Sequence, residues 1–264
     1  MNNPIKVVGI VPARMGSSRF PGKPLAKIHG MPMIGHVYYR CKMSKLLHEV
    51  YIATCDQEIA TYVKSIGGQT VMTKDTHERC TDRTTEALHK IEENTGEIID
   101  IIVMIQGDEP MVTPEMLDGA VQPMLTDESI QVLNLMSKLN SKKEHEDPNE
   151  VKVVVDIAGN ALYFSREAIP SKKKGGMSIP MLKQVCVIPF RRDFLIKYDQ
   201  LSPTPLEIIE SVDMMRVLEH GYKVKMIMTD AKSYAVDTPE DLDNVSNLMQ
   251  GELLMANYLS KRNK

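Results

Sequence analysis

Apolar residues along this chain fall into short continuous runs, separated by segments whose apolar positions recur every three or four residues. Residues 7–11 form the first run and predict a strand. Residues 34–47 carry the helical spacing. A second strand is expected over 50–54, ending at Cys55-Asp56, and then a helix over 57–66 stopped by Gly67-Gly68. A short strand over 70–73 and a helix over 83–94 follow. Residues 101–105, Ile-Ile-Val-Met-Ile, are apolar throughout, as in a strand buried on both faces. Strands alternating with helices over roughly the first 125 residues predict a parallel α/β sheet with right-handed crossovers.

The middle of the chain changes character. Residues 141–149 are polar and charged, and 151–156 with 161–165 read as a hairpin around Ala158-Gly159-Asn160. Ser171–Gly176 is rich in Lys and Gly and is expected to form a mobile loop. Residues 182–190 read as one further strand. The pattern places a β-rich insertion over 141–200 between two parts, 1–140 and 201–255, of one α/β domain. A helix over 205–220, a strand over 223–228 and a closing helix over 238–249 complete it, with Thr238 as cap and Pro239 in the first turn. The basic tail, 260–264, is expected to fray.

Composition narrows the classes. A net charge of -3 excludes a global basic field of the kind that holds nucleic acid. Cys41, Cys55, Cys80 and Cys186 form no C-x-x-C pair, so neither a metal framework nor a disulfide framework is expected. No apolar run approaches the ~20 residues of a membrane span. The start, Met-Asn-Asn-Pro-Ile-Lys, leads into a strand without a signal-peptide core. A cytoplasmic protein is expected.

The candidate chemistry begins right after the first strand. Residues 11–25 read Val-Pro-Ala-Arg-Met-Gly-Ser-Ser-Arg-Phe-Pro-Gly-Lys-Pro-Leu. Arg14, Arg19 and Lys23 supply three cations, and Gly16, Ser17, Ser18 and Gly22 supply backbone N–H groups. Such a loop at the end of a strand of an open sheet suits a polyphosphate; the alternative is an ordinary basic surface loop. It is not a P-loop, because Pro24 follows Lys23, and it lacks G-x-G-x-x-G. Gln106-Gly107-Asp108-Glu109-Pro110 follows the most apolar strand. Asp108 there either holds Mg²⁺ alongside substrate phosphates, or caps a helix starting near Thr113, or is, with Glu109, simply solvated. Asp237 is either a second ligand to the same ion or part of a helix cap. Thr81 and Arg83 face a nucleotide, or Asp82 simply favours a helix dipole. Lys152 and Arg166 lie on neighbouring strands and either bind an anion or solvate the sheet. His29 and His36 read as structural, and no nucleophile motif supports covalent chemistry.

With these motifs in hand, the chain resembles the 3-deoxy-manno-octulosonate (KDO) cytidylyltransferases. The resemblance rests on 12–25, Gln106–Pro110, 149–152, 161–166, 202–210 and 236–242, in the same order along nearly the whole chain. It implies a GT-A/Rossmann-like nucleotidyltransferase fold: a mostly parallel central sheet and a smaller β-rich part for acceptor binding and dimerisation. It implies transfer of CMP from CTP to an acidic sugar with Mg²⁺, a homodimer, and a place in lipopolysaccharide biosynthesis. By resemblance, Arg14, Lys23, Asp108 and Asp237 are catalytic, and Asp108 and Asp237 hold the metal. Arg14, Ser17, Arg19, Lys23, Thr81, Arg83 and Gln106 bind the nucleotide. Gln106, Arg166, Gln184 and Glu207 or Glu210 face the sugar acid.

The chain departs from that family mainly on the acceptor side. The usual His-x-Gly-Ile-Tyr-x-Tyr is here Gln184-Val185-Cys186-Val187-Ile188-Pro189-Phe190. The usual Leu-Glu-Gln-Leu-Arg is Val212-Asp213-Met214-Met215-Arg216, and Ser171–Gly176 replaces aromatic and acidic residues. Near the nucleotide, Arg79-Cys80 stands for Ser-Gly. Sites that bond a hydroxyl reject analogues lacking it, so Gln184, Ile188 and Phe190 imply a retained CTP half and a rewritten acceptor half. The acceptors to consider are KDO itself, an 8-amino-octulosonate, another ulosonic acid or a phosphonate. The remaining alternative, an inactive nucleotide-binding protein, conflicts with the intact set Arg14, Lys23, Asp108 and Asp237.

Overall fold

The structure, a computed structural model, describes residues 4–171 and 181–262. In chain order the strands are β1 (Val7–Pro12), β2 (Lys27–Ile28), β3 (Met31–Pro32), β4 (Glu49–Thr54), β5 (Gln69–Met72), β6 (Ile101–Ile105), β7 (Leu133–Lys138), β8 (Lys152–Val155), β9 (Ala161–Ser165), β10 (Leu182–Val185), β11 (Val187–Arg191) and β12 (Lys225–Met228). The helices are α1 (Met33–Lys42), α2 (Gln57–Ser65), α3 (Cys80–Thr95), α4 (Pro114–Thr126), α5 (Lys142–Glu146), α6 (Arg192–Asp199), α7 (Pro205–Glu210), α8 (Asp213–Glu219), α9 (Pro239–Met249) and α10 (Leu253–Arg262).

The first sheet has the order β11-β6-β1-β4-β5, parallel except for β11 at its edge. This is the mostly parallel central sheet expected from the alternation of runs. The chain steps outward from β1 through β4 to β5, then returns to the other side of β1 as β6. That reversal opens a crevice at the carboxyl ends of β1 and β6, where open α/β sheets take ligands. Every residue of β1 and β6 is buried, since helices cover both faces. Val8 and Ile10 face a core completed by Leu88 and Ile91 of α3. Val7 and Val11 point the other way, toward Ile34 of α1, Ile59 of α2 and Leu117 of α4. The loops after β1 and β6 touch at Gly107, where a Cβ would lie 2.9 Å from the Pro12 carbonyl oxygen. Only glycine lets the two loops meet there.

The second sheet, β12-β7-β10-β8-β9, is mainly antiparallel. It holds the expected hairpin as β8–β9, but it also draws β7 and β12 from either side of 141–200. The single strand expected over 182–190 is two strands. β10 pairs with β7 in the second sheet and β11 with β6 in the first, so the chain changes sheets at Cys186. Residues 172–180, which hold most of the loop expected at Ser171–Gly176, lie outside the described residues. The helix expected over 205–220 is α7 and α8, broken at Ser211, whose φ of 54° is left-handed. α3 begins at Cys80, so Thr81, Asp82 and Arg83 belong to its first turn rather than to the preceding loop.

Of the tail expected to fray, residues 260–262 are the end of α10, and 263–264 lie outside the described residues. α10 runs to Arg262 because Met255 and Tyr258 bury against Ile28, Met33, Val236 and Val245. Glu252, just before it, pairs with the fully buried Arg40. Tyr258 also settles the state of His36, which is structural as expected. His36 Nε2 lies 2.8 Å from the Ile28 carbonyl and must donate to it, so Nδ1 accepts from the Tyr258 hydroxyl at 2.6 Å. Burial leaves no favourable place for a second proton and holds the imidazole down at about 4. The unfolded chain takes up this proton below 6.5 and the folded chain does not until about 4. Stability is therefore expected to fall as the pH drops through that window, by up to roughly 3 kcal/mol. His36→Gln should flatten this part of a denaturation-against-pH profile; an unchanged slope would contradict the assignment. Among the described residues, no helix is long and apolar enough to cross a membrane.

Candidate active site

The loop after β1 folds over the end of the sheet through its own main chain. Met15 N–H donates to Asp56 Oδ2 at 2.8 Å, and Gly22 N–H returns to the Met15 carbonyl at 2.9 Å. Gly22, with φ 76°, turns the chain into the short 3-10 turn that aims Lys23 inward. Lys23 Nζ then lies 2.7 Å from Asp108 Oδ2, 3.0 Å from Asp237 Oδ1 and 2.9 Å from the Val236 carbonyl. Burial pulls the ammonium's pKa down, but the two carboxylates outweigh it and the net shift is upward. Arg19 reaches the same carboxylate, with Nη2 3.0 Å from Asp237 Oδ1.

Neither carboxylate is occupied with capping. Thr113 caps α4, its hydroxyl accepting from Met116 N–H at 3.3 Å. Thr238 and Asp241 cap α9 reciprocally. Asp108 and Asp237 instead converge on the Lys23 ammonium between them. Asp108 Oδ1 is buried without a hydrogen-bond partner. Two convergent carboxylates with an unused buried oxygen fit a hard divalent ion that takes one or two protein carboxylates plus substrate phosphates. Among the described residues, no group of three or more His, Cys, Asp or Glu side chains forms a self-contained metal cage.

Two clefts meet at this point. The larger, about 380 Å³, is lined by Arg14, Ser17, Lys23, Arg79 and Arg83. The smaller, about 180 Å³, is lined by Arg166, Gln184, Cys186 and Ile188. Arg19, Gln106, Asp108, Ser211 and Asp237 line both. Arg14 Nη1 touches the His77 carbonyl at 3.4 Å. Arg83 is held by Thr73 and the Lys74 carbonyl, and its Nη2 is buried without a partner. Arg166 donates through Nε to the Glu210 carbonyl at 2.7 Å and through Nη1 to the Pro148 carbonyl at 2.8 Å.

The structure sets other singled-out residues apart from the clefts. Thr81 is fully buried and its hydroxyl donates to Asp213 Oδ2 at 2.7 Å. Glu207 lies in the interior, where its carboxylate accepts from Arg216 Nε and Nη2 at 2.7 and 2.6 Å. Glu210 accepts from the Tyr163 and Ser165 hydroxyls and from Arg166 N–H, so it braces Arg166. Lys152 is fully buried, bonded to the carbonyls of Asp147 and Arg166. Of the rewritten positions, Gln184, Cys186, Ile188, Val212 and Asp213 line the smaller cleft, whereas Phe190 is core, edge-on to Tyr198. Glu207→Ala would leave the Arg216 guanidinium buried with only Asp82 at 3.5 Å. A loss of about 3 kcal/mol in urea denaturation is expected; a loss near zero would contradict the pairing.

Sequence reasoning gave no role to Arg79. It lines the larger cleft and donates through Nη1 to Ser211 Oγ at 3.0 Å, joining the start of α3 to the α7–α8 break. A signal existed: a cation beside a helix N-terminus opposes the dipole and needs another reason to be there. Cys80 borders the same cleft, and burial with nearby Asp213 and Asp108 pushes its thiol up to about 12, far from a thiolate nucleophile.

A cytidylyltransferase family model matches residues 8–227. A 3-deoxy-manno-octulosonate cytidylyltransferase of Geobacter metallireducens is 42% identical over 251 residues, covering 91% of this chain and 96% of that protein. The chain belongs to the 3-deoxy-manno-octulosonate cytidylyltransferase family. It is a nucleotidyltransferase. A mitochondrial member from Arabidopsis thaliana is 39% identical, over 93% of this chain and 83% of its own length. A solved CMP:2-keto-3-deoxy-manno-octonic acid synthetase, complexed with CTP, superposes with a TM-score of 0.86 at 39% identity, over 94% of this chain and 100% of that one.

Proposed function

We propose that this enzyme transfers CMP from CTP to 3-deoxy-manno-octulosonate, giving the CMP-sugar and pyrophosphate. The observation that carries the reading is the pair of clefts joined along Gln106, Asp108 and Asp237. The larger takes the nucleotide and the smaller the sugar acid, so that the α-phosphorus and the anomeric hydroxyl meet between them. The names of the similar enzymes support CTP and KDO as the pair.

Asp108 and Asp237 would hold Mg²⁺, which when bound neutralises triphosphate charge and polarises the α-phosphate. Arg14 and Lys23 bind the outer phosphates and stabilise the charge that builds on departing pyrophosphate. Arg19 and Ser17 complete the phosphate contacts. Arg83, with its spare buried N–H, faces the cytidine. Arg166 faces the sugar carboxylate, and Gln106, at the junction, orients the sugar for in-line attack. Holding both reactants in one geometry supplies much of the rate.

A second acceptor is favoured by one observation: Gln184, Cys186 and Ile188 line the smaller cleft where the family carries His, Gly and Tyr. The test is pyrophosphate release from CTP against KDO, its 8-amino analogue, other ulosonic acids and a phosphonate. Release with KDO supports the first reading, release only with another acid supports the second, and CTP binding without release from any overturns both.

The chain divides into a nucleotide-binding part, 1–140 with 201–255, and an inserted part, 141–200, which forms the acceptor side together with β7 and the α7–α8 break. It forms a homodimer, for which exposed Leu162, Ile208 and Ile209 offer apolar contact surface. It works in the reducing cytoplasm, consistent with four free cysteines.

A further inference from the structure

One wall of the smaller cleft is a primary amide, that of Gln184, whose orientation is set from inside the protein. Asn134, on β7, is fully buried. Its Nδ2 donates to the carbonyl oxygens of Val185 at 2.7 Å and Leu135 at 2.9 Å. An Asn134 oxygen in that place would face two other acceptors, so the network fixes the amide one way round. Asn134 Oδ1 therefore points toward Gln184 and accepts from its Nε2 at 2.6 Å. One Nε2 hydrogen of Gln184 is committed to Asn134, which keeps the amide from flipping, and Oε1 has no partner among the described residues. The Val185 carbonyl belongs to the last residue of β10, just before the chain crosses between the sheets at Cys186. The element that shapes the cleft wall thus also orders its amide.

We propose that Asn134 is a positioning residue for acceptor recognition: it holds Gln184 as a hydrogen-bond acceptor, so the cleft selects an acidic sugar bearing a donor, a hydroxyl or a protonated amine, at this position. The inference rests on the CMP-transfer reading and deepens it. A buried amide fixed in one orientation discriminates by leaving itself unpaired against an analogue without the donor. A surface amide free to flip would accept either polarity.

The test uses the full chain, CTP, and KDO alongside two analogue series, one with each sugar hydroxyl replaced in turn by hydrogen and one by an amino group. The wild type is expected to lose tenfold to a hundredfold in kcat/KM on one deoxy analogue. The amino analogue at that position should keep activity, and which of the two the enzyme prefers distinguishes hydroxyl from amine. In Gln184→Leu and in Asn134→Ala the discrimination at that position should fall to within about threefold, with the KM for CTP little changed. Gln184→Glu should raise the acceptor KM at least tenfold, because its carboxylate would face Asn134 Oδ1. Gln184 is on the cleft wall, so its two variants decide the matter even if Asn134→Ala does not fold. Equal losses on every analogue, or discrimination that survives in the Gln184 variants, overturn the proposal while leaving CMP transfer standing. No release with any acceptor overturns the transfer reading and this inference with it.

Discussion

Asp108→Asn is expected to lower CTP-dependent turnover by about a thousandfold while the protein stays folded. The exchange keeps the size and shape of the side chain and removes one of the two charges that converge on Lys23. The Lys23 ammonium keeps its contacts to Asp237 and to the Val236 carbonyl, so local structure persists. What is lost is the carboxylate with the unused buried oxygen, Asp108 Oδ1. An amide there cannot attract a divalent cation to the phosphates. The checks are initial rates over a magnesium titration and thermal unfolding of the same preparation. Turnover within about threefold of the wild type would remove Asp108 from the reaction.

Lys23→Met is expected to lower kcat/KM for CTP by about a hundredfold or more. Two effects act together. The triphosphate loses a cation from the loop that follows β1, and the carboxylates of Asp108 and Asp237 lose the charge that lies between them. The raised Lys23 pKa says that the fold favours the charged form. Its contribution to stability is therefore complete at neutral pH and is lost only as the pH rises through a folded value above 10.5. The methionine variant should accordingly be less stable at pH 7. Lys23→Arg is not expected to restore activity, because a planar guanidinium cannot make the three convergent contacts of a compact ammonium. Wild-type kcat/KM in either variant would show that Lys23 serves the fold alone.

Much of this arrangement is legible in the chain because local signals agree with the global fold. The apolar runs at β1 and β6 have to be buried on both faces, and that requires helices on both sides of a parallel sheet. The Thr238-Pro239 cap and the loop cations follow from residue chemistry alone. The rest depends on tertiary contacts with no local signature. Residues 182–190 read as one strand because nothing at Cys186 signals a turn; only the separate pairings of Val185 with Leu135 and Val187 with Ile105 divide them. The α7–α8 break at Ser211 carries neither Gly nor Pro. Glu207 looks available for a sugar until Arg216 is seen folded back upon it, and Thr81 looks available for cytidine until Asp213 is found beside it. The family resemblance speaks mostly to the donor half, because its motifs lie in contiguous loops. The acceptor half is assembled from β7, β10, β11 and the α7–α8 break, so its geometry is visible only in the fold.

CMP transfer to an acidic sugar across the two clefts is tested by following CTP, pyrophosphate and sugar nucleotide together, with the purified chain, magnesium and KDO. One pyrophosphate and one CMP-KDO are expected for each CTP consumed, with release that stops when KDO is left out. CTP that binds but yields neither product with KDO or any other acidic sugar would contradict that transfer.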